Sequence, residues 1–178
     1  MKLYVVRHGQ TDKNVLGVVH GQTESNLTEE GIKEAYKLQP QISQMHIDVV
    51  ISSPLIRAKK TAEILIGSRL PINIDDRIIE RDWGLCEGAS INEVDRIKCW
   101  NYYLNYDENS IEVLSDFMRR IIEFIDDIKT KYHDKNVLVV THSAVSRAIY
   151  YYLNGIPEDG DLSKINIPNL DVLEYEID

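Results

Sequence analysis

Short apolar runs separated by amphipathic stretches dominate the hydrophobic pattern of the chain. Residues 3–6, 47–52 and 136–141 are largely apolar and rich in β-branched side chains, a pattern typical of strands that are covered on both faces. Residues 170–177 instead alternate between apolar and acidic side chains, which predicts a half-exposed strand at a sheet edge.

Helical signals lie between these runs. Thr28 can cap a helix whose first turn carries two glutamates, and Pro40 is expected to limit that helix. Ser53, followed by a proline, predicts the start of a second helix that ends at Gly67. Three more helices are predicted, over residues 90–106, 110–132 and 143–153.

Strands that alternate with helices indicate an α/β fold. At 178 residues the chain fits a single domain. We predict that this domain spans residues 1–178 as three layers, α/β/α, around a mostly parallel central sheet with the C-terminal strand at its edge. Residues 83–110 are predicted to form a helical lid or insert.

Composition and charge exclude several classes of protein. Hydrophobic residues make up 43% and charged residues 28% of the chain, which is ordinary for a globular protein. No apolar run approaches the roughly 20 residues of a membrane-spanning helix, and the net charge of −9 argues against nucleic acid as a partner. The apolar run before Arg7 is too short for a signal-peptide core, so we expect a cytoplasmic protein with free thiols at Cys86 and Cys99. The oligomeric state stays open.

Unusual polar residues stand at the ends of the predicted strands. Arg7 and His8 follow the first strand, and Arg57 lies one turn into the helix after the second. His142 follows the strand at 136–141. Because the carboxyl ends of parallel strands meet at one edge of a sheet, these four side chains are expected to converge. Arginine forks match phosphate oxygens and an imidazole can carry a phosphoryl group, so this edge is a candidate phosphoryl-transfer site.

The candidate chemistry also needs a proton donor for the alkoxide that leaves. Glu80 is favoured for this role because it directly follows an apolar pair, and Asp82 is a nearby rival. Metal binding by His8 and His142 is a rival hypothesis. However, the sequence has no His-x-x-x-His pair or acidic ligand cluster beside them, so we predict no metal.

Five sequence blocks contain these candidate residues. They are Arg7-His8-Gly9-Gln10-Thr11 with Asn14, Gly21-Gln22 with residues 27–31, residues 52–58 with 61–63, Glu80-Arg81-Asp82-Trp83-Gly84 with Glu87-Gly88, and Thr141-His142. In order and spacing they resemble the histidine phosphatase superfamily, which includes cofactor-dependent phosphoglycerate mutase. The resemblance covers nearly the whole chain.

The resemblance implies a role for each matching residue. His8 would be the phosphorylated nucleophile, and Glu80 the proton donor to the leaving oxygen and then the base for the attacking water. Arg7, Arg57 and His142 would complete the phosphate pocket. Further substrate contacts are predicted at Asn14, Thr11, Gly21, Gln22 and Ser143. The resemblance implies neither a metal nor an organic cofactor.

Three short segments depart from the family pattern. Ser143 and Ala144 follow the second histidine, where the family usually has a glycine. Cys86 occupies a position that is often aromatic, and only Glu112 remains of a Gly-Gly-Glu-Ser turn. None of these positions belongs to the core of the predicted phosphate pocket.

The resemblance favours hydrolysis of a phosphomonoester. We predict a metal-independent phosphatase that acts through a phosphohistidine on a small phosphorylated metabolite. Mutases of the superfamily are longer, and their extra segments protect the phosphohistidine from water. Mutase-type phosphoryl transfer and a non-catalytic phosphate-binding regulatory module remain as alternatives. Specificity is expected from residues 15–26 and from the segment after Glu80, whose aromatic side chains either stack on a flat substrate group or, as we favour, pack in the core.

Overall fold

A five-stranded sheet organises residues 1–177, the part of the chain that the computed structural model describes. Its strands are β1 (Lys2–Arg7), β2 (Val49–Ser52), β3 (Ile72–Ile74), β4 (Asn136–Thr141) and β5 (Val172–Glu176). Their order is β3-β2-β4-β1-β5, with β5 antiparallel to β1 and the other neighbours parallel. This confirms the predicted mostly parallel sheet with a C-terminal edge strand.

Helices occupy the connections between the strands. They are α1 (Asp12–Leu16), α2 (Glu29–Gln44), α3 (Ile56–Ile66), α4 (Arg96–Cys99), α5 (Leu114–Lys131) and α6 (Ser143–Asn154). Within residues 1–177, none of them is long and apolar enough to cross a membrane.

Both faces of the sheet are covered, which explains the continuous apolar runs. Along β1, Leu3 and Val5 belong to the core cluster that α5 and α6 complete, whereas Tyr4 and Val6 belong to the cluster with α2 and α3. Because side chains alternate along a strand, a strand between two helical layers needs apolar residues at every position. The three-layer α/β/α prediction is confirmed.

The register of the central strands brings their polar ends together. Arg7 of β1 lies opposite Thr141 of β4, and Ser52 of β2 lies opposite Val140. The residues that follow these strands, His8 and His142 among them, therefore leave the sheet at the same edge.

Two predicted helix boundaries are wrong. Pro40 lies inside α2, although proline lacks the amide that would bond the carbonyl of Tyr36 one turn earlier. The helix predicted to begin at Ser53 begins at Ile56. The hydroxyl of Ser53 instead accepts a hydrogen bond from the amide of Leu55, at 3.3 Å, within the preceding turn.

The predicted helix over residues 90–106 is also wrong, since only the four residues of α4 are α-helical there. The backbone groups of residues 90–106 form hydrogen bonds with distant parts of the chain instead. The amide of Ile91 donates to Gly17, that of Tyr102 donates to Gly160, and the carbonyl of Trp100 accepts from Leu162. Strand β3 was not predicted, because it is three residues long and lacks a buried apolar run.

Candidate active site

His8 lies directly after β1. One of its ring nitrogens is hydrogen-bonded and the other is open. Its Nδ1 is 2.8 Å from the carbonyl oxygen of Gly9. A carbonyl can only accept, so Nδ1 carries the proton and Nε2 keeps its lone pair. Burial, and then the charges of Arg57 and Arg7, hold the pKa of His8 well below its usual range. The ring is therefore neutral and keeps an open lone pair on Nε2, as the predicted nucleophilic role requires.

Backbone contacts fix the position of His8. Its amide donates to Thr141 of β4 at 2.8 Å, and its carbonyl accepts from the Nδ2 of Asn169 at 2.8 Å. The amide of Gly9 donates to the hydroxyl of Thr61, which in turn donates to the carbonyl of Arg57. His8 is thus tied to β4, α3 and the segment before β5.

The two predicted arginines are held by neutral groups. Arg57, in the first turn of α3, donates to the carbonyls of Gly21 at 2.8 Å and Thr23 at 2.9 Å. Arg7 donates to the carbonyl of Ile167 at 2.7 Å. Among residues 1–177 neither arginine has a carboxylate in ion-pair contact, and the Nε of each is buried without a partner. Their positive charge is therefore available to an anion.

His142 stands edge-on to His8, with ring centroids 5.2 Å apart. Its Nε2 lies 2.6 Å from the hydroxyl of Ser53, whereas its buried Nδ1 has no partner among residues 1–177. Burial and then Arg57 hold the pKa of His142 well below its usual range. When Ser53 donates to Nε2, Nδ1 of the neutral ring carries the proton and can donate to a phosphoryl oxygen.

Glu80 is buried in the wall of the cavity. Its carboxylate accepts from the amide of Arg81 at 2.8 Å and from that of Ala144 at 3.4 Å. Burial nevertheless raises the pKa of Glu80. The carbonyl of Glu80 accepts from Gln22 and from Arg120, each at 3.1 Å. A carboxyl group with a raised pKa and a fixed backbone is suited to proton transfer.

Glu112, the one residue that remains of the Gly-Gly-Glu-Ser turn, stabilises this wall. Its carboxylate is 2.8 Å from the Nε of Arg120, the same arginine that bonds the carbonyl of Glu80. It also accepts from the amide of Asp82 at 3.1 Å. The carboxylate of Asp82 accepts from the amide of Gly84, and Asp82 does not line the cavity.

A cavity of about 200 Å³ opens in front of these residues. The predicted site residues that line it are Arg7, His8, Asn14, Gly21, Glu80 and Ser143. Arg57 and His142 are fully buried and lie deeper. Thr11 and Gln22 do not line the cavity, because Thr11 caps α1 and bonds Asn14, while Gln22 holds the carbonyl of Glu80.

Sequence reasoning missed several residues of the site. His20 stacks on His8 with centroids 6.2 Å apart, and burial followed by nearby Arg57 lowers the pKa of His20 to about 4. Its position directly before the Gly21-Gln22 block was an available signal. Arg147 also lines the cavity, and its signal was that it is the only charged residue in the helix predicted over residues 143–153. The cavity also includes Arg96 and Asn166.

Among the aromatic residues of this segment, Trp100 packs in the core as favoured, although Trp100 and Trp83 also line the cavity and Tyr103 is exposed. Trp100 is 3% exposed and lies edge-on to Phe117, with the guanidinium of Arg81 5.1 Å from its ring. No group of three or more His, Cys, Asp or Glu side chains in residues 1–177 is arranged to hold a metal ion.

Comparisons with known proteins cover nearly the whole chain. The profile of the histidine phosphatase superfamily (branch 1) matches residues 3–178. Phosphoserine phosphatase 1 of Hydrogenobacter thermophilus is 32% identical over 184 residues, which cover 99% of this chain and 85% of that protein. The adenosylcobalamin/alpha-ribazole phosphatase of Escherichia coli is 29% identical over 89% of this chain and 82% of its own length. The solved structure of Bacillus stearothermophilus YhfR matches with a TM-score of 0.84 at 28% identity, over 99% of this chain and 91% of that one.

Proposed function

Since the chain belongs to branch 1 of the histidine phosphatase superfamily, we propose that its site hydrolyses a small phosphomonoester in two steps, with His8 carrying the phosphoryl group. Relatives named as phosphatases differ in the alcohol they release and share the phosphoryl-transfer chemistry. The observation that carries the assignment is the Nδ1 contact of His8 with Gly9, which leaves Nε2 open beside two arginines.

In the first step Nε2 of His8 attacks phosphorus and the bond from phosphorus to the alcohol oxygen breaks. Protonated Glu80 gives its proton to that oxygen, so the alcohol leaves neutral. Arg7, Arg57 and the Nδ1–H of His142 face the phosphoryl oxygens and stabilise their charge.

In the second step the Glu80 carboxylate takes a proton from a water molecule as that water attacks the phosphohistidine. The bond from phosphorus to Nε2 breaks, and inorganic phosphate forms. His8 and protonated Glu80 are regenerated, which balances the cycle.

The exposure of the cavity rim and the burial of Glu80 favour hydrolysis over the two alternatives. Ile91 and Arg96 are exposed yet line the cavity, so water reaches the site, whereas a mutase must protect its phosphohistidine. In a module that only binds phosphate, a carboxyl group in the cavity wall would lower the affinity for the anion. Glu80 is nevertheless held in that wall.

Several further predictions belong to the same proposal. The partner is a phosphorylated small molecule rather than nucleic acid, and the protein works in the cytoplasm as a single domain. Residues 83–110 would be the predicted lid or insert, since Trp83, Ile91 and Arg96 form part of the cavity wall, although the segment consists mainly of turns and is not helical as predicted.

Trapping of the intermediate tests the proposal. Brief mixing with labelled substrate should give a base-stable, acid-labile label on the protein, and His8→Ala should abolish both label and turnover. His133→Ala is the matched control, because His133 is exposed and lies just before β4, at the opposite edge of the sheet. Normal turnover by His8→Ala would overturn the mechanism.

Independence from metal is tested with the same assay. The arginines already supply positive charge to the phosphate, so activity should survive prolonged chelation and vanadate should inhibit. Loss of activity that one specific metal restores would contradict this prediction.

A further inference from the structure

Two arginines that phosphoryl transfer does not use, Arg96 and Arg147, line the same cavity. We propose that they bind a carboxylate on the alcohol part of the substrate, so that the preferred substrates are phosphate esters of small hydroxy acids. This inference rests on the proposed hydrolysis, because it assigns the leaving group of that reaction.

Arg147 is built into the wall of the cavity. It is 5% exposed, its guanidinium lies 4.2 Å from the ring centroid of Trp100, and its Nη2 donates to the carbonyl of Ile165 at 3.0 Å. Its Nε is buried and has no partner among residues 1–177. The planar group is therefore held in a fixed orientation with donor capacity left over, which suits a carboxylate.

The charge of this part of the cavity is not compensated by the protein. Within residues 1–177, no carboxylate forms an ion pair with Arg96 or Arg147, and Glu80 is the only acidic residue in the cavity wall. Burial, and then the nearby charge of Arg96, lower the pKa of Arg147 to about 10. Arg147 thus stays cationic at neutral pH and repels Arg96, a cost that a bound anion would remove.

The position of Arg147 points to the alcohol rather than to the phosphate. Ala144, whose amide contacts the carboxylate of Glu80, lies three residues before Arg147 in α6. Residues three apart share a helix face, and both line the cavity. Since Glu80 protonates the leaving oxygen, the next group along this face meets the alcohol. A phosphate needs many donors, as around His8, whereas two arginines suffice for one carboxylate.

A purely structural role accounts for Arg147 in part, because it joins the Ile165 segment to Trp100. It does not account for Arg96. Arg96 is exposed in α4, and its side chain makes no hydrogen bond within residues 1–177. The two arginines therefore allow the binding role and the structural role to be separated.

The test uses substrate pairs that isolate the carboxylate. Phosphoserine and phosphoethanolamine differ only in that group, and phosphoglycerate and glycerol phosphate form a second pair without the amine. Nitrophenyl phosphate reports hydrolysis in general. We expect wild type to prefer the acid in each pair by roughly tenfold or more in kcat/KM, the worth of a charge-assisted hydrogen bond.

The variants assign that preference to the two arginines. Arg96→Gln should reduce the acid preference about tenfold, mainly through KM, and Arg147→Lys should reduce it because a lysine lacks the fork. Lys98→Gln is the matched control, since it removes one charge from the same short helix but does not line the cavity. It should leave the preference unchanged.

Each other outcome has a defined meaning. Turnover of nitrophenyl phosphate without any acid preference would overturn the carboxylate site alone, and so would an equal effect of Arg96→Gln and Lys98→Gln. A stronger preference for fructose bisphosphate that Arg96→Gln removes would replace the carboxylate with a second phosphate. No turnover of any compound would overturn the hydrolysis proposal and this inference with it.

Discussion

The inner and outer ends of the cavity are built in different ways. The inner end consists of His8, Arg57 and His142, which follow three neighbouring strands and are at most 2% exposed. The outer end, formed by Trp83, Ile91, Arg96 and Trp100, comes from a segment with one short helix and several turns. Regular elements thus hold the groups that phosphoryl transfer would need in exact positions, and irregular backbone shapes the part that we propose meets the variable half of a substrate.

The hydrogen bonds of the two ends differ in the same way. At the inner end, side chains bond across strands and helices, as in the contacts of His142 with Ser53 and of Gly9 with Thr61. At the outer end Ile91 is 46% exposed, and the exposed side chain of Arg96 makes no hydrogen bond within residues 1–177. A change at the inner end should therefore affect all substrates, and a change at the outer end should discriminate among them.

The largest effect is expected at the inner end. Arg57→Gln removes a buried charge that faces the phosphate, so kcat/KM should fall roughly a thousandfold for every substrate. Arg69→Gln is the control, because Arg69 is exposed and bonds only carbonyls at the end of α3. Phosphate release from an alkyl ester and from nitrophenyl phosphate measures the loss. A loss confined to one of them would break the distinction between the two ends.

Glu80 lies between the two ends, so its effect should depend on the leaving group. Glu80→Gln should slow release of an alkyl alcohol by roughly a hundredfold and of nitrophenol much less, since nitrophenolate leaves without a proton. Single-turnover release of each alcohol measures this. Asp82→Asn, whose carboxylate faces the amide of Gly84, is the matched control.

The same variant should change the pH profile. Burial raises the pKa of Glu80, and the donor must be protonated, so alcohol release by wild type should decline as pH rises through that raised value. Glu80→Gln should lack this alkaline decline. Equal losses for both leaving groups would instead mean that Glu80 positions the phosphate.

The neutral histidines of the site predict an acid-sensitive fold. Burial lowers the pKa of His8 and His142, and that of His20 to about 4, so below about pH 6.5 the unfolded chain binds more protons. The folding equilibrium constant should be at its full value above that pH. Below it, the constant should fall by roughly tenfold per pH unit for each such histidine. Protonation of Glu80 opposes part of this fall.

Urea unfolding at pH 7 and pH 5 measures this dependence. His20→Asn should reduce the pH dependence of the urea midpoint by the share of one histidine. His133→Asn, which changes an exposed histidine, should leave that dependence unchanged. A urea midpoint that is independent of pH across this interval would contradict the prediction.

The smallest effect is expected at the outer end. Gly84 has a φ of +51°, and a Cβ there would lie 2.2 Å from the carbonyl oxygen of Asn109, so Gly84→Ala must displace backbone. KM for alkyl esters should rise several-fold while vanadate affinity is retained. Gly88→Ala shares a positive φ of +85° but meets no atom within 4 Å, and it therefore controls for strain alone. Loss of vanadate affinity in Gly84→Ala would show that the two ends are coupled.

The inner end could be predicted from the sequence and the outer end could not. Buried strands leave apolar runs, and Arg7, His8 and His142 stand directly after them, so topology alone brings them together. In residues 90–106 local periodicity competes with long-range backbone bonds, such as Tyr102 to Gly160, that leave no local pattern. The bond from Gln22 to the carbonyl of Glu80 is equally long-range and leaves no local pattern. The capping of α1 by Thr11 is local, through Asn14 three residues later, and was mistaken for a substrate contact.

The pairing of β1 with β4 has a consequence for folding. Residues 2–7 align with residues 136–141, so His8 and His142 meet only after most of the chain has been enclosed in a loop. Contacts between such distant segments form slowly, because the loop entropy is lost before the contact is made. A nascent chain that ends before Asn136 lacks both His142 and β4, the strand that pairs in parallel with β1. Phosphatase activity should therefore emerge late in synthesis, and its recovery after dilution from urea should follow the slow formation of the central sheet.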